Sequence, residues 1–549
     1  MDSYDVVVIG AGPAGEVCAG ELAKAGLEVA IAERELIGGE CSFYACMPSK
    51  ALLRPEELRR EVERVPGVGP RSADGAAAGS KQGDGAQDRS ASGARVDADA
   101  VLDRRDEVIH DLSDEGKLPW LERRGIALLR GEARLAGPRR VRIGEQELEA
   151  RRAVVLATGT GAAMPPIDGL DRVGAWNNRE GTTARQVPES LIVLGGGPVG
   201  CELAQAWASL GARVTLVEAA DRLMTAEEPF AGEQVAESLR EAAGVEVLTG
   251  AKMTAIRRDP TAGAGGDERG GGTGDGGTRE DADHGAGEEA GGGELVATLS
   301  DGRELRAAEI LVAVGRKPRT DDLGLESVGI KGGEYLKVDD RLRVRDAPDG
   351  WLYALGDVNG RSLLTHIGKY QARVAAAVIS GDERAAGGDV SAAKSDASAP
   401  GGERHAASGD EQATSGDAQA AGGGEQARAV AEEYGPPRVT FTDPQVAAVG
   451  LNEAAAEERG LQVTVSEAMT SATPGGSFYG KDTPGTSRIL VDSERGVIVG
   501  ATFVGFETAE LIHAATVAIV GQVPIETLRD CVPSFPTRSE IWLGLMEGI

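Results

Sequence analysis

Short runs of consecutive apolar residues punctuate the chain, and each is closed by a glycine, an acidic residue or a turn. They are Val6–Ile9 before Gly10, Val29–Ala32 before Glu33, Ala153–Leu156 before Thr158-Gly159, and Leu191–Leu194 before Gly195. Val214–Val217, interrupted only by Thr215, before Glu218, Ile310–Val314 before Gly315, and Trp351–Leu355 before Gly356 follow the same pattern. Unbroken apolar runs of this length predict strands buried on both faces, as in parallel sheets. Helical runs follow two of them, reaching Ala25 and about Leu210. The alternation predicts an α/β fold.

The turns after the first and fourth runs are alike. Gly10-Ala11-Gly12-Pro13-Ala14-Gly15 and Gly195-Gly196-Gly197-Pro198-Val199-Gly200 each have the spacing G-x-G-x-x-G between strand and helix. That spacing brings backbone N–H groups and a helix N-terminus under a pyrophosphate. In both units the next strand ends in an acid, Glu33 or Glu218, placed to accept from ribose hydroxyls. Glu218 would repel a ribose 2′-phosphate, which favours NADH over NADPH, although Arg222 lies nearby. Two such units predict one bound flavin dinucleotide and one exchanging nicotinamide dinucleotide.

Composition adds limits. The 549 residues carry a formal net charge of −30 and five cysteines. Such acidity argues against nucleic acid and anionic membrane surfaces as partners. Scattered cysteines make no disulfide framework, and no metal-ligand set stands out. No apolar run approaches a membrane span. Tyr4-Asp5 leads straight into the first strand, so no signal peptide and a cytoplasmic location are expected. Residues 67–95, 260–293 and 383–428 have almost no large apolar residues and read as disordered insertions in surface loops.

The densest chemistry is Gly38-Gly39-Glu40-Cys41-Ser42-Phe43-Tyr44-Ala45-Cys46-Met47-Pro48-Ser49-Lys50. On an ideal helix, residues five apart point about 140° away from each other. The segment must bend or loosen if the two thiols are to pair. A reducible pair beside a redox cofactor would serve a dithiol catalyst; two unrelated thiols are the plain alternative.

These motifs together resemble the flavin-dependent pyridine nucleotide–disulfide oxidoreductases, which include dihydrolipoamide dehydrogenase, glutathione reductase and mercuric reductase. The resemblance covers everything but the three insertions, and includes a C-terminal interface domain opening at Val439-Thr440-Phe441-Thr442-Asp443-Pro444. It implies two nested Rossmann-like dinucleotide-binding domains plus a C-terminal α+β dimerisation domain. The expected division is 1–160 (FAD), 161–305 (NAD(P)), 306–382 (return to the FAD and central region) and 436–549 (dimerisation). It further implies a homodimer with a shared active site, a small-molecule electron acceptor, and the cofactors FAD and NAD(P)H, with NADH favoured.

Roles follow by resemblance. Cys41 would be the outer interchange thiol and Cys46 the inner thiol against the flavin. Lys50 and Glu202 would form the ion pair near the hydride-accepting atom; a lone helical Glu202 would otherwise be a surface charge. Gly10, Gly12, Gly15, Glu33, Thr158, Gly159, Gly356 and Asp357 would hold FAD, with His366 at a helix N-terminus under the flavin, or merely packing there. Gly195, Gly197, Gly200, Glu218, Gly315 and Arg316 would hold the nicotinamide dinucleotide.

One departure bears on function. The family's His-Pro-Thr-x-Ser-Glu motif appears here as Phe535-Pro536-Thr537-Arg538-Ser539-Glu540, so Phe535 replaces the general acid/base while Glu540 remains. The flavin half-reaction is expected to survive, with the acceptor a disulfide or other soft electrophile that needs no histidine. A quinone- or oxygen-reducing diaphorase and an FAD-binding protein with little turnover are the alternatives. Candidate substitutes for the histidine are His513 and Tyr44. His110 reads as surface, Cys18 and Cys201 as plain buried thiols, and Cys531 as a buried thiol or, as the resemblance allows, a third redox thiol.

Overall fold

A computed structural model describes residues 2–65, 96–260, 293–381, 428–480, 483 and 485–549. The three expected insertions lie outside the described residues except for their edge residues Pro260, Gly293 and Arg428. Two compact units emerge, each assembled from separated stretches.

The first unit comprises Met1–Glu35, Lys117–Gly159 and Thr320–Glu432. Its seven-stranded sheet has the order Ala127–Arg130, Val29–Glu33, Asp2–Ile9, Gln146–Leu156, Arg140–Ile143, Ala133–Leu135, and Leu352–Ala354 also pairs with Gln146–Leu156. The central pairings are parallel and bury the predicted apolar runs; Val6, Val7, Val8, Val154, Val155 and Leu156 are fully inaccessible. The helices Pro13–Lys24 and Thr365–Ser380 pack together on this sheet's glycine turns. Their approach is close because a Cβ at Gly368 would stand only 3.3 Å from both Ala14 Cβ and Gly356 Cα.

The second unit comprises Leu36–Gly116, Thr160–Arg319 and Glu433–Ile549. A parallel four-stranded sheet runs in the order Glu246–Leu248, Arg213–Val217, Ser190–Leu194, Glu309–Val312. Next in sequence are the antiparallel strands Met253–Pro260, Gly293–Leu299 and Glu304–Ala307, with Pro260 opposite Gly293. A five-stranded antiparallel sheet, Arg438–Thr440, Gln445–Gly450, Val497–Gly505, Thr486–Asp492, Val463–Met469, forms the C-terminal part. Leu511, Ile512, Ala515, Ala518 and Ile519 of the helix Thr508–Val520 seal one face of it. The fold is thus the mixed α/β arrangement the alternating pattern predicts.

The helices Cys46–Arg64 and Pro198–Ser209 pack on each other in this unit, and Trp207 fills the core beneath them. The Trp207 indole is fully buried, 5.6 Å from the Trp176 ring, and its N–H donates to Gly181 O at 3.0 Å. Among the described residues no helix is long and apolar enough to cross a membrane. Trp207→Ala opens a large cavity and orphans that carbonyl. It should cost about 3–5 kcal/mol in denaturant unfolding, and a cost under 1 kcal/mol would contradict this core assignment.

Candidate functional site

In the first unit, the turn from strand to helix is built so that only glycine fits. Gly10 has φ +99°, and a Cβ there would lie 2.5 Å from Ala157 O. A Cβ at Gly15 would lie 1.9 Å from Gly10 O, so the helix could not approach its strand. Gly12 caps the helix and faces open space, leaving its N–H groups reachable by an anion. Glu33 accepts from Ala11 N at 2.7 Å and Glu35 N at 2.8 Å, which holds the carboxylate beside this turn.

Thr158 and Gly159 follow the strand Gln146–Leu156 on the same sheet, Gly159 with φ +67°. Gly356 and half-buried Asp357 open a 3-10 turn after Leu352–Ala354. Fully buried Gln371 shapes that turn, accepting from Gly356 N at 2.7 Å and Asn359 Nδ2 at 2.9 Å. Gln371 was not anticipated, because nothing local marks it. His366 is exposed at the second position of the helix Thr365–Ser380.

The second unit repeats the device. A Cβ at Gly195 would lie 2.5 Å from Ala313 O, and one at Gly200 only 1.8 Å from Gly195 O. Glu218 accepts from Gly196 N at 2.6 Å and Ala220 N at 2.7 Å. Gly197 caps the helix facing open space. Gly315 (φ +139°) precedes Arg316, which donates to Thr160 Oγ1 at 2.6 Å and Thr160 O at 2.9 Å. Arg222 turns its guanidinium onto carbonyls of its own loop: Met224 at 3.1 Å, Thr225 at 2.8 Å and Glu227 at 3.1 Å.

The two cysteines do not share one helix. Cys41 lies in the short helix Gly39–Phe43; Tyr44 (φ −135°) and Ala45 (φ −143°, ψ −95°) break the backbone, and Cys46 starts the helix Cys46–Arg64. The bend that pairing would require is therefore present, and both residues are half-buried. Lys50, one turn beyond Cys46 on the same helix face, lies 2.7 Å from Glu202 Oε2. Glu202 is 5% exposed and also accepts from Phe441 N at 2.9 Å, so it is no surface charge.

The C-terminal candidates are arranged otherwise. Phe535 is 76% exposed. Glu540 accepts from Thr537 N at 3.1 Å in a capping box, so its carboxylate closes its own turn. His513 is exposed on the helix Thr508–Val520, and His110 is exposed as expected. The Tyr44 ring lies 4.4 Å from the Arg179 guanidinium. Cys531 corrects the expectation of a buried thiol: it is exposed, because the short helix Ile525–Asp530 ends just before it. Cys18 and Cys201 are fully buried, and burial pushes both thiols up, Cys18 to about 12, which keeps them protonated and inert. Among the described residues no cluster of His, Cys, Asp or Glu could hold a metal ion.

If this turn holds the flavin dinucleotide, as the resemblance implies, Gly15→Ala should yield protein without the yellow flavin absorbance, since the new methyl meets a backbone oxygen with nowhere to move. Stoichiometric flavin on the purified variant would refute the assignment of this turn.

Comparison with known proteins fits this geometry. The family profile described as pyridine nucleotide-disulphide oxidoreductase matches residues 4–377, and the corresponding dimerisation-domain profile matches residues 436–545. The chain is 26% identical to a mercuric reductase of Staphylococcus aureus over 98% of its own length and 81% of the relative's. It is 29% identical to a dihydrolipoyl dehydrogenase of Haloferax volcanii, over 99% and 96%. The Cu(II) complex of RclA, an HOCl-induced flavoprotein disulfide reductase from Escherichia coli, superposes with TM-score 0.72 at 21% identity, covering 100% of this chain and 99% of that one. LpdA of Mycobacterium tuberculosis gives 0.71 at 21% identity, with full coverage of both chains.

Proposed function

Since the chain belongs to the pyridine nucleotide-disulphide oxidoreductase family, we propose that it passes electrons from NADH through FAD to a Cys41–Cys46 disulfide and on to a disulfide or other soft acceptor. The observation that carries this reading is the broken helix that starts afresh at Cys46, with the Lys50–Glu202 pair one turn along. When bound, FAD supplies the two-electron relay between nicotinamide and disulfide.

The protein's own groups have distinct parts. The glycine turn of the first unit and Glu33 suit the flavin dinucleotide; Gly195, Gly197, Gly200 and Glu218 suit the nicotinamide dinucleotide. Reduction breaks the Cys41–Cys46 bond, leaving one sulfur as thiolate while the other takes a proton. The helix N-terminus at Cys46 favours the anionic sulfur there. With a disulfide acceptor, Cys41 then attacks one acceptor sulfur, breaking the acceptor S–S bond and releasing the first thiol with a proton, and the Cys46 thiolate displaces the second by forming the Cys41–Cys46 disulfide again. Lys50, fixed by Glu202, contributes the positive charge.

Phe535 cannot protonate a leaving thiolate, a task that general acid–base catalysis speeds by about 10²–10⁴-fold. Acceptors that need no such proton are therefore favoured, and among the relatives the name mercuric reductase points to a soft metal ion. A homodimer is part of the reading. The large apolar side chains Met469, Phe478, Val517, Val532, Phe535 and Leu543 are exposed on the C-terminal part, as suits a surface covered by a second copy.

NADH preference rests on Glu218 and on the inward turn of Arg222. Glu218→Ala should lower the NADH-over-NADPH ratio of kcat/KM by at least about tenfold, by removing like-charge repulsion; an unchanged ratio would reject Glu218 as the discriminator. The electron path is tested by anaerobic NADH titration of the wild type and of Cys41→Ser. The wild type should develop a long-wavelength absorbance band after two electrons, from the Cys46 thiolate against oxidised flavin. The variant should keep NADH-reducible flavin but lose disulfide turnover. Simple bleaching of the wild type, without the band, would place the disulfide off the path and favour quinone or oxygen reduction.

A further inference from the structure

Glu40, directly before Cys41, has no role above, and it gathers a cluster in which only Arg316 has one. Its Oε1 accepts from Arg179 Nε at 2.8 Å and Arg319 Nη2 at 2.7 Å, its Oε2 from Asn178 Nδ2 at 2.8 Å, and the Arg316 guanidinium stands 4.0 Å away. The carboxylate is only 16% exposed. Burial pushes it up, but Arg179, the Asn178 bond and Arg319 together outweigh burial and hold it below the ordinary glutamate value. It is therefore ionised at neutral pH, and three guanidinium groups surround a single negative charge.

The cluster reaches the dithiol through the backbone. Asn178 Nδ2 donates also to Tyr44 O at 2.8 Å, and Tyr44 is where the Cys41 helix ends. Glu40 and Tyr44 thus bracket Cys41 and share one amide. Consecutive Cα atoms are about 3.8 Å apart, so Cys41 is the cysteine nearest the cluster along the chain.

We propose that Glu40 and Arg319 are positioning residues that set the redox balance of the Cys41–Cys46 pair, the arginines favouring its reduced form and Glu40 offsetting them. The inference rests on the reading that these two cysteines cycle. Reduction takes two electrons, breaks the S–S bond, and leaves one sulfur as thiolate while the other takes a proton. Net positive charge beside the segment that carries both cysteines stabilises a thiolate on either sulfur, the one at Cys46 included, and makes the disulfide more oxidising. Neutralising Glu40 should then favour the dithiol, and neutralising Arg319 should favour the disulfide. A purely mechanical clamp would move both variants in the same direction.

The test uses full-length holoprotein, wild type, Glu40→Gln and Arg319→Gln, equilibrated at neutral pH with mixtures of oxidised and reduced dithiothreitol. The Cys41–Cys46 peptide is scored by thiol alkylation and mass. Glu40→Gln should raise the equilibrium constant for the dithiol about tenfold, equivalent to about 30 mV for this two-electron couple. Arg319→Gln should lower it severalfold. Shifts of the same sign, or none beyond about twofold, overturn the proposal. Should Glu40→Gln fail to fold, Arg179→Gln must agree in sign with Arg319→Gln, and a shift of either toward the dithiol is equally fatal. A wild type whose two cysteines never form a disulfide overturns the functional reading instead, since no equilibrium then exists to tune.

Discussion

A buried carboxylate must have partners, and Glu202 organises the second unit through the two it holds. Removing one partner from a fully buried charge pair costs about 3–5 kcal/mol; the Lys50 side chain is 36% exposed, so loss of this pair costs less. Glu202 joins Lys50 of one helix to its own helix and to the Phe441 N–H at the start of the C-terminal sheet. Neighbouring bonds reinforce the junction: Asp443 N donates to Gln205 Oε1 at 2.8 Å, and Arg60 and Arg64 both pair with the Asp443 carboxylate. Cys46 lies one turn from Lys50, so the register of the dithiol segment is fixed by a contact between residues 152 positions apart.

The two glycine turns show the same constraint solved twice. In each, the first glycine meets a carbonyl of the neighbouring parallel strand's turn, the third lets the helix touch its strand, and a glutamate at the end of the strand paired on the other side bonds the turn's N–H. The near-identical clearances, 1.9 Å at Gly15 and 1.8 Å at Gly200, explain why a bulkier residue is excluded at both. The same geometry is suited to the same chemical class, a dinucleotide, in each unit. What separates them is the surrounding chain. The cysteine segment belongs to the second unit, whereas the Gly356-Asp357 turn belongs to the first.

Local signals were legible in the sequence. The apolar runs became the buried parallel strands, and the glycines took the left-handed conformations or close approaches that their spacing implied. A break between Cys41 and Cys46 is expected from helical geometry only if the two thiols pair, and the backbone does break there. Long-range polar contacts were not legible. Arg179 and Arg319 lie 139 and 279 positions from Glu40, and nothing near Glu40 distinguishes it from a spacer. Gln371 escaped for the same reason, since its value comes only from the turn it reaches. One local cue does mark this region: Asn177 and Glu180 form a capping box that starts the helix carrying Asn178 and Arg179. Cys531 was misjudged because burial depends on where a short helix stops, which its own residues do not specify.

The C-terminal segment bears on the proposed absence of a proton donor. Thr537 and Glu540 still cap each other, so the turn keeps its shape without an imidazole, and Phe535 stands exposed before it. A thiol leaving group has a pKa near 8.5, and expelling it at neutral pH is hard without an acid. A metal ion or a weakly basic thiolate imposes no such demand. On the proposed reading, the balance of charge around Cys41 then matters more than in an enzyme with its histidine. With no acid to assist departure, the rate of exchange depends on how readily the enzyme's own sulfurs carry negative charge. Three arginines offset by one glutamate beside Cys41 are a means of setting that property from within the fold.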